Sequence, residues 1–343
     1  MSDPVSIVDE LLREAVRLGA SDLYCIPDGQ RVEVRLRVDG IQRGLREVEG
    51  ETGKRCITRI KVLAGLLTYQ TRVAQDGAIR DHEALGEQEC RVSIMPTQFG
   101  ERASLRFLQG TTGPLHLEDL GVSAETQATL RRILAIPAGM ILLTGPTGCG
   151  KTTTIYALVR ELLRNRQDPA SIISIEDPVE CILPGVSQAA IREDWGYAAA
   201  LKAALRQDVK TLVVGEMRDP DVVRVTLDAA LTGHRVISTY HAGDIPSVYA
   251  RMMHQGFEPF LIASAITGVV AQRLLESPDG TKRVPVMAVL EPDDAWREIV
   301  CNTKGLAGLR AGLSGHATAD LLSLGKRAVA EGRLAESALA ALG

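Results

Sequence analysis

The sequence predicts an α/β protein: a parallel-sheet domain built around a phosphate-binding loop, preceded by a smaller α+β domain. Three observations carry that prediction. "ILLTGPTGCGKTTT" (141–154) sets an apolar strand, a glycine-rich turn and the start of a helix in direct succession. Further short apolar runs at 171–176, 211–216 and 236–239 alternate with helical periods, the pattern of a sheet covered on both faces. Upstream, "RVEVRLRV" (31–38) alternates valine or leucine with charge, which suits a sheet with one wet face. A chain of 343 residues accommodates two such domains.

The elements follow in order. Ile7, Val8, Leu11, Leu12, Ala15 and Leu18 recur at helical spacing, and Gly19 is the expected stop. The 31–38 strand lies between the turn signals Asp28-Gly29 and Asp39-Gly40. A helix near 51–67 and strands at 89–95 and 102–108 complete the first domain, placed at 1–108. "QGTTGPLHLEDLG" (109–121) is rich in Gly, Thr and Pro and reads as a linker. The second domain occupies 122–302. In it, Ile155, Leu158, Val159, Leu162 and Leu163 mark the helix after the glycine-rich turn. A later helix has Asp219 as its N-cap, Pro220 at its first position and Gly233 just past its end. Residues 303–343 read as small helices.

Composition bounds the function. Aromatic residues make up 3% of the chain and its net charge is −4, which argues against a stacking platform or electrostatic groove for nucleic acid. The six cysteines form no C-x-x-C pair and no zinc spacing, the usage of a reducing compartment. The N-terminal residues are acidic rather than basic, and no apolar run approaches the ~18–20 residues that cross a bilayer. A cytoplasmic chain is the expectation.

Gly145, Gly150, Lys151 and Thr152 satisfy G-x-x-x-x-G-K-[ST]. The intervening Pro146, Thr147, Gly148 and Cys149, with Thr153 beyond, complete the cradle. Glycine angles aim successive N–H groups at phosphate oxygens, and the helix adds its positive end. Lys151 reaches the outer phosphates and the Thr152 hydroxyl ligates Mg²⁺, so ATP with Mg²⁺ is the expected ligand. In a parallel sheet, the other strand ends face the same crevice. Those ends carry Glu176 (followed by Asp177 and Glu180), Glu216, and Thr239 with His241. Two acidic strand ends are what metal-assisted hydrolysis needs, one acid toward Mg²⁺ and one toward the attacking water. Spacing alone leaves open which is which. His234 and His241 bracket a strand at an odd separation, which disfavours a shared zinc and leaves the two as either phosphate sensors or turn residues. In the hairpin 89–108, a turn between Gln98 and Phe99 sets Arg91 across from Arg106. That repulsive pair, costing ~0.2–1 kcal/mol, would be relieved by an anion, or by Glu89 or Glu101.

"GPTGCGKTTT", "IEDPVE", "VVGEMRD" and "LTGHRVISTYHAGD", in that order, resemble the secretion-ATPase superfamily, and most closely the type II secretion and type IV pilus assembly ATPases. "ASDLY", "RLRVDG" and "PTQFGERASLRFL" extend the likeness into the first domain. The resemblance implies a RecA-like ATPase domain behind a PAS-like domain, assembled as a homo-hexamer. Such a ring would power an inner-membrane platform protein that moves pilin-like subunits, and would attach to the membrane peripherally through that partner. It implies that Glu176 is the catalytic glutamate of the Asp box and Glu216 the Mg²⁺-side acid of the Walker B segment. It also implies that His234 and His241 belong to the His box, and that Arg91 and Arg106 reach an outer phosphate, commonly across a subunit boundary. The four-cysteine zinc loop of many assembly ATPases is replaced by "ESPDGTKRVP", so no zinc is expected. Cys149 stands where the family usually has serine. Retraction of a pilus is the alternative direction of work, although the retraction signature "AIRAG" is absent. A RecA-like nucleic-acid translocase and a non-hydrolysing regulator are the readings from other classes.

Overall fold

The computed structural model describes the chain other than residues 1–2, 39, 87, 109–115, 166–167, 193–194, 304, 314–315 and 343. It forms two compact units, Met1–Thr112 and Gly113–Gly343. The division falls within the stretch read as a linker, part of which lies outside the described residues. Its second half is not a tether. Leu117 and Leu120 form a short 3-10 turn, Leu117–Leu120, and are buried in the core of the second unit.

The first unit is a six-stranded antiparallel sheet covered on one face by two helices, Pro4–Arg17 and Gly50–Leu63. Its strands are β1 (Asp22–Pro27), β2 (Arg31–Val38), β3 (Ile41–Glu49), β4 (Gln75–Ile79), β5 (Glu89–Thr97) and β6 (Gly100–Leu108), in the order β3-β2-β1-β6-β5-β4. The alternation of 31–38 does what period-2 patterning requires. Val32, Val34 and Leu36 are buried in one core with Ile7, Val8, Leu11 and Leu12 of the first helix, which Asp3 caps and Gly19 ends at φ +63°. Lys61, fully buried, is held by Glu101 (2.7 Å) and the Gln70 carbonyl (2.9 Å).

The second unit is a seven-stranded sheet. Its strands are β7 (Gly139–Thr144), β8 (Ile172–Glu176), β9 (Ser187–Ala190), β10 (Thr211–Met217), β11 (Arg235–Tyr240), β12 (Ile266–Glu276) and β13 (Arg283–Leu290). They lie in the order β13-β12-β7-β11-β10-β8-β9, all parallel to their neighbours except the terminal β12–β13 hairpin. Every residue of β7 is buried, as a central strand with helices on both faces demands. The helix Pro220–Leu231 starts on the Asp219 cap (Asp221 N–H to Asp219, 2.8 Å) and stops before Gly233, as the sequence predicts. Toward the C-terminus the described residues include the helices Leu306–Leu313 and Leu321–Ala330, and Leu309, Leu321, Ala328 and Leu334 are buried in the same core as β12 and β13.

The four parallel strands β7, β11, β10 and β8 therefore deliver Thr144, Tyr240, Met217 and Glu176 to one edge of the sheet. Leu142→Ala, at the centre of β7, is expected to lower the stability of the second unit by about 2–5 kcal/mol. Denaturant unfolding checks this, and a loss under about 1 kcal/mol would show that the site edge does not depend on the packing of this strand.

Candidate functional site

The glycine-rich loop runs from the end of β7 into the helix Lys151–Arg164. Gly145 (φ +145°) lies against the strand beyond it: a Cβ there would stand 2.3 Å from the Gln272 carbonyl oxygen and 2.8 Å from the Cys149 sulfur. Gly150 is left-handed (φ +88°), and a Cβ on it would meet the Gln272 amide nitrogen at 2.9 Å. Only glycine fits either place without displacement. The helix begins at Lys151, so its uncompensated N–H groups and positive end face the loop. The Lys151 ammonium arches over the loop and donates to the carbonyls of Gly145 and Pro146, each at 2.9 Å. Pro146, Thr147 and Gly148 are exposed, and Thr152 and Thr153 are half-buried on the first turn. Cys149 is buried, and that burial raises its thiol pKa, so it stands in the loop as a neutral group.

Gln272, on β12, is a residue that reading the sequence for motifs missed. It is buried, its amide N–H donates to the Cys149 carbonyl (2.7 Å), and its carbonyl oxygen accepts the Thr154 hydroxyl (2.9 Å). One side chain thus fixes both the loop and the first turn of the helix. Arg283 of β13 adds a bond to the Gly148 carbonyl at 3.0 Å. At the end of β7, the Thr144 hydroxyl donates to the Ala242 carbonyl (2.6 Å) and accepts the Ala242 N–H (3.0 Å), joining the phosphate loop to the segment after β11.

Glu216 lies where the pairing of β10 with β11 shifts register between Val214 and Met217, an irregularity that re-aims side chains at a strand end. Its carboxylate is 20% exposed, ion-paired to Arg218 (2.8 Å) and 3.4 Å from the His241 ring. The predicted proximity of Glu216 and His241 is therefore present. His234 sits at the opposite end of the same strand, 3.1 Å from the Ala229 carbonyl, as an ordinary turn residue.

Glu176, the glutamate that the resemblance makes catalytic, lies buried at the strand end. It is 5% exposed and both oxygens are engaged. One accepts Ser174 (2.6 Å) and Gln188 (3.1 Å), and the other accepts the Tyr156 hydroxyl. Burial, reinforced by this neighbouring carboxylate, raises the Tyr156 pKa, so the phenol keeps its proton and donates it. Four residues further on, Glu180 is exposed. Tyr197 was also missed by motif reading. Its hydroxyl lies against Gly215, and its pKa is raised by burial first and then by Glu216, Asp177 and Glu176. It is a neutral hydroxyl amid three acids.

In the first unit the hairpin has the predicted register, with Arg91 opposite Arg106 and Ser93 opposite Ser104. The charge balance is different from the expectation. Arg106 donates to Asp22 (3.1 Å) on the neighbouring β1, while Glu89 and Glu101 pair with Arg80 and Lys61.

A family profile described as "Type II/IV secretion system protein" matches residues 3–323. This chain belongs to that family. The type II secretion system protein HxcR of Pseudomonas aeruginosa is 38% identical over 309 residues, covering 89% of this chain and 64% of that protein. The chain therefore spans less than two thirds of the length of this relative. Among solved structures, the pilus retraction motor PilT with bound ADP superposes with a TM-score of 0.74 at 25% identity, over 98% of this chain and 96% of that one. The Legionella pneumophila ATPase DotB shares the fold, with a TM-score of 0.78 at 20% identity over 99% and 95%. The fold class predicted from sequence, a RecA-like phosphate-loop domain with a smaller N-terminal α+β domain, is the one observed.

Gln272→Ala removes both hydrogen bonds that shape the loop. A fluorescent ATP analogue is expected to bind about tenfold more weakly to this variant, since two buried bonds are worth ~1–3 kcal/mol. Unchanged affinity would show that the loop keeps its form without the amide.

Proposed function

We propose that this chain is a nucleoside-triphosphatase motor of a type II secretion or type IV pilus-like system, hydrolysing ATP with Mg²⁺ as a homo-hexamer. Its work would be transmitted to a platform protein in the inner membrane. One observation carries the reading: the phosphate loop, Glu216 with His241, and the 176–180 segment all lie at one edge of one parallel sheet. Among the described residues no helix is long and apolar enough to cross a membrane.

Mg²⁺ prefers hard oxygens and takes only one or two from protein when phosphates and water supply the rest. The Thr152 hydroxyl and the Glu216 carboxylate are such donors, and they would hold the ion directly or through water. Among the described residues, no group of three or more His, Cys, Asp or Glu could hold a metal by itself. When bound, the ion supplies neutralisation of charge on the phosphates. Lys151, now on loop carbonyls, exchanges those acceptors for phosphate oxygens, and the Gly145–Gly150 amides converge on the same group.

The base assigned from sequence to Glu176 passes, in this reading, to Glu180. A carboxylate whose two oxygens already accept three hydrogen bonds in a buried setting is poorly placed to take a proton from water. Glu180 leaves the same strand end and is exposed. Arg91 and Arg106 complete the reading as a clamp offered to the outer phosphate of a neighbouring copy, with Asp22 holding one of them. The likeness to PilT across nearly the whole chain keeps retraction as the second reading of direction.

Phosphate release from the purified chain tests the assignment. Glu180→Gln is expected to bind ATP normally and turn over at least ~100-fold more slowly. Glu176→Gln should instead lower thermal stability, because its new N–H₂ replaces one carboxylate oxygen and so faces either the Tyr156 hydroxyl or the Ser174 and Gln188 donors. Near-normal turnover in Glu180→Gln would return the base to Glu176 or Glu216. For the arginines, inactive Arg91→Ala and inactive Lys151→Ala chains are expected to regain partial activity when mixed into the same rings. Proven mixed rings without recovery would exclude action between subunits.

A further inference from the structure

We infer that Tyr156 is a positioning residue that ties the helix of the phosphate loop to the chain carrying Glu180. The inference rests on the assignment of Glu180 as the water-activating base. A phenol has one proton to donate and two lone pairs to accept with, and Tyr156 uses all three. Its O–H donates to Glu176, while its oxygen accepts the N–H of Glu180 at 3.2 Å and the N–H of Cys181 at 3.3 Å. The residue is 6% exposed and sits on the helix that starts at Lys151, five positions beyond that lysine.

The far side of the same segment is held separately. Gln188 on β9 donates to the Cys181 carbonyl (2.9 Å) and accepts the Leu183 N–H (2.6 Å), and it also donates to Glu176 (3.1 Å). Glu176 is thus the hub on which two anchors, Tyr156 and Gln188, are themselves oriented. Of the two, only Tyr156 grips the Glu180 backbone, and only Tyr156 belongs to the element that begins at the phosphates. A shift of the helix is therefore passed to the Glu180 backbone through the Tyr156 oxygen, while Arg160 of the same helix touches the neighbouring Cys181 sulfur at 3.8 Å. A displacement of about 1 Å at a reacting group is enough to cost up to ~100-fold in rate.

Steady-state kinetics and nucleotide binding test this in Tyr156→Phe, Ser174→Ala, Glu180→Gln and the double variant Tyr156→Phe/Glu180→Gln. Ser174→Ala is the structural control, since it removes a donor to Glu176 without touching the Glu180 N–H. The expected result is that Tyr156→Phe loses about tenfold or more in kcat while its affinity for a fluorescent ATP analogue stays within about twofold. Ser174→Ala should keep kcat within about twofold, and the double variant should be no slower than Glu180→Gln alone. Three results would overturn the inference: unchanged kcat in Tyr156→Phe, an equal loss in Ser174→Ala, or a double variant slowed by the product of the single effects. A Glu180→Gln enzyme with normal turnover would instead sink the assignment of the base. Normal turnover in Tyr156→Phe beside an inactive Glu180→Gln would sink the positioning role alone.

Discussion

Parallel strand alignment is the constraint from which the site follows. Because β7, β11, β10 and β8 run in the same direction, every crossover returns the chain to the far edge, and every carboxyl end emerges on the near one. The sheet interior is mostly apolar, and the acidic groups Glu176 and Glu216 stand at those ends. A strand reversed in direction would carry its terminal acid to the opposite edge, some five residues away, and the site would not assemble.

Around that edge the same device recurs: a polar side chain from one segment closes the backbone of another. Gln272 holds Cys149 and Thr154, Thr144 holds Ala242, Thr239 holds the Gly215 carbonyl at 2.7 Å, and Tyr156 holds Glu180 and Cys181. These bonds are buried or half-buried, where a donor or acceptor left unpaired costs more than a satisfied bond contributes. Each loop at the edge is consequently pinned near its root, which is the preorganisation that an anion site requires.

The parts legible in the sequence were those specified locally. The glycine-rich loop needs only its own backbone angles, the Pro220–Leu231 helix only its cap and stop, and the 89–108 hairpin only its alternation and turn. What escaped was set by partners distant in the chain. Arg106 is neutralised by Asp22, 84 positions away, rather than by the nearer glutamates. Glu176 reads as an acidic strand end, yet Tyr156 and Gln188, 20 and 12 positions away, turn it into a buried anchor. β12 was not separable as a strand because the helix Pro259–Ala265 runs directly into it at Ile266, in one mainly apolar stretch that has no single period. Missing β12 also meant missing Gln272.

The central claim is that the 145–152 loop is a phosphate cradle on which the strand ends converge. A structure of the chain with Mg²⁺ and a non-hydrolysable ATP analogue tests it most directly. The account predicts that the Lys151 ammonium leaves the Gly145 and Pro146 carbonyls for the outer phosphates, with the Glu216 and Glu180 carboxylates facing the terminal phosphoryl group. A nucleotide bound elsewhere, with Lys151 still folded onto those carbonyls, would contradict it.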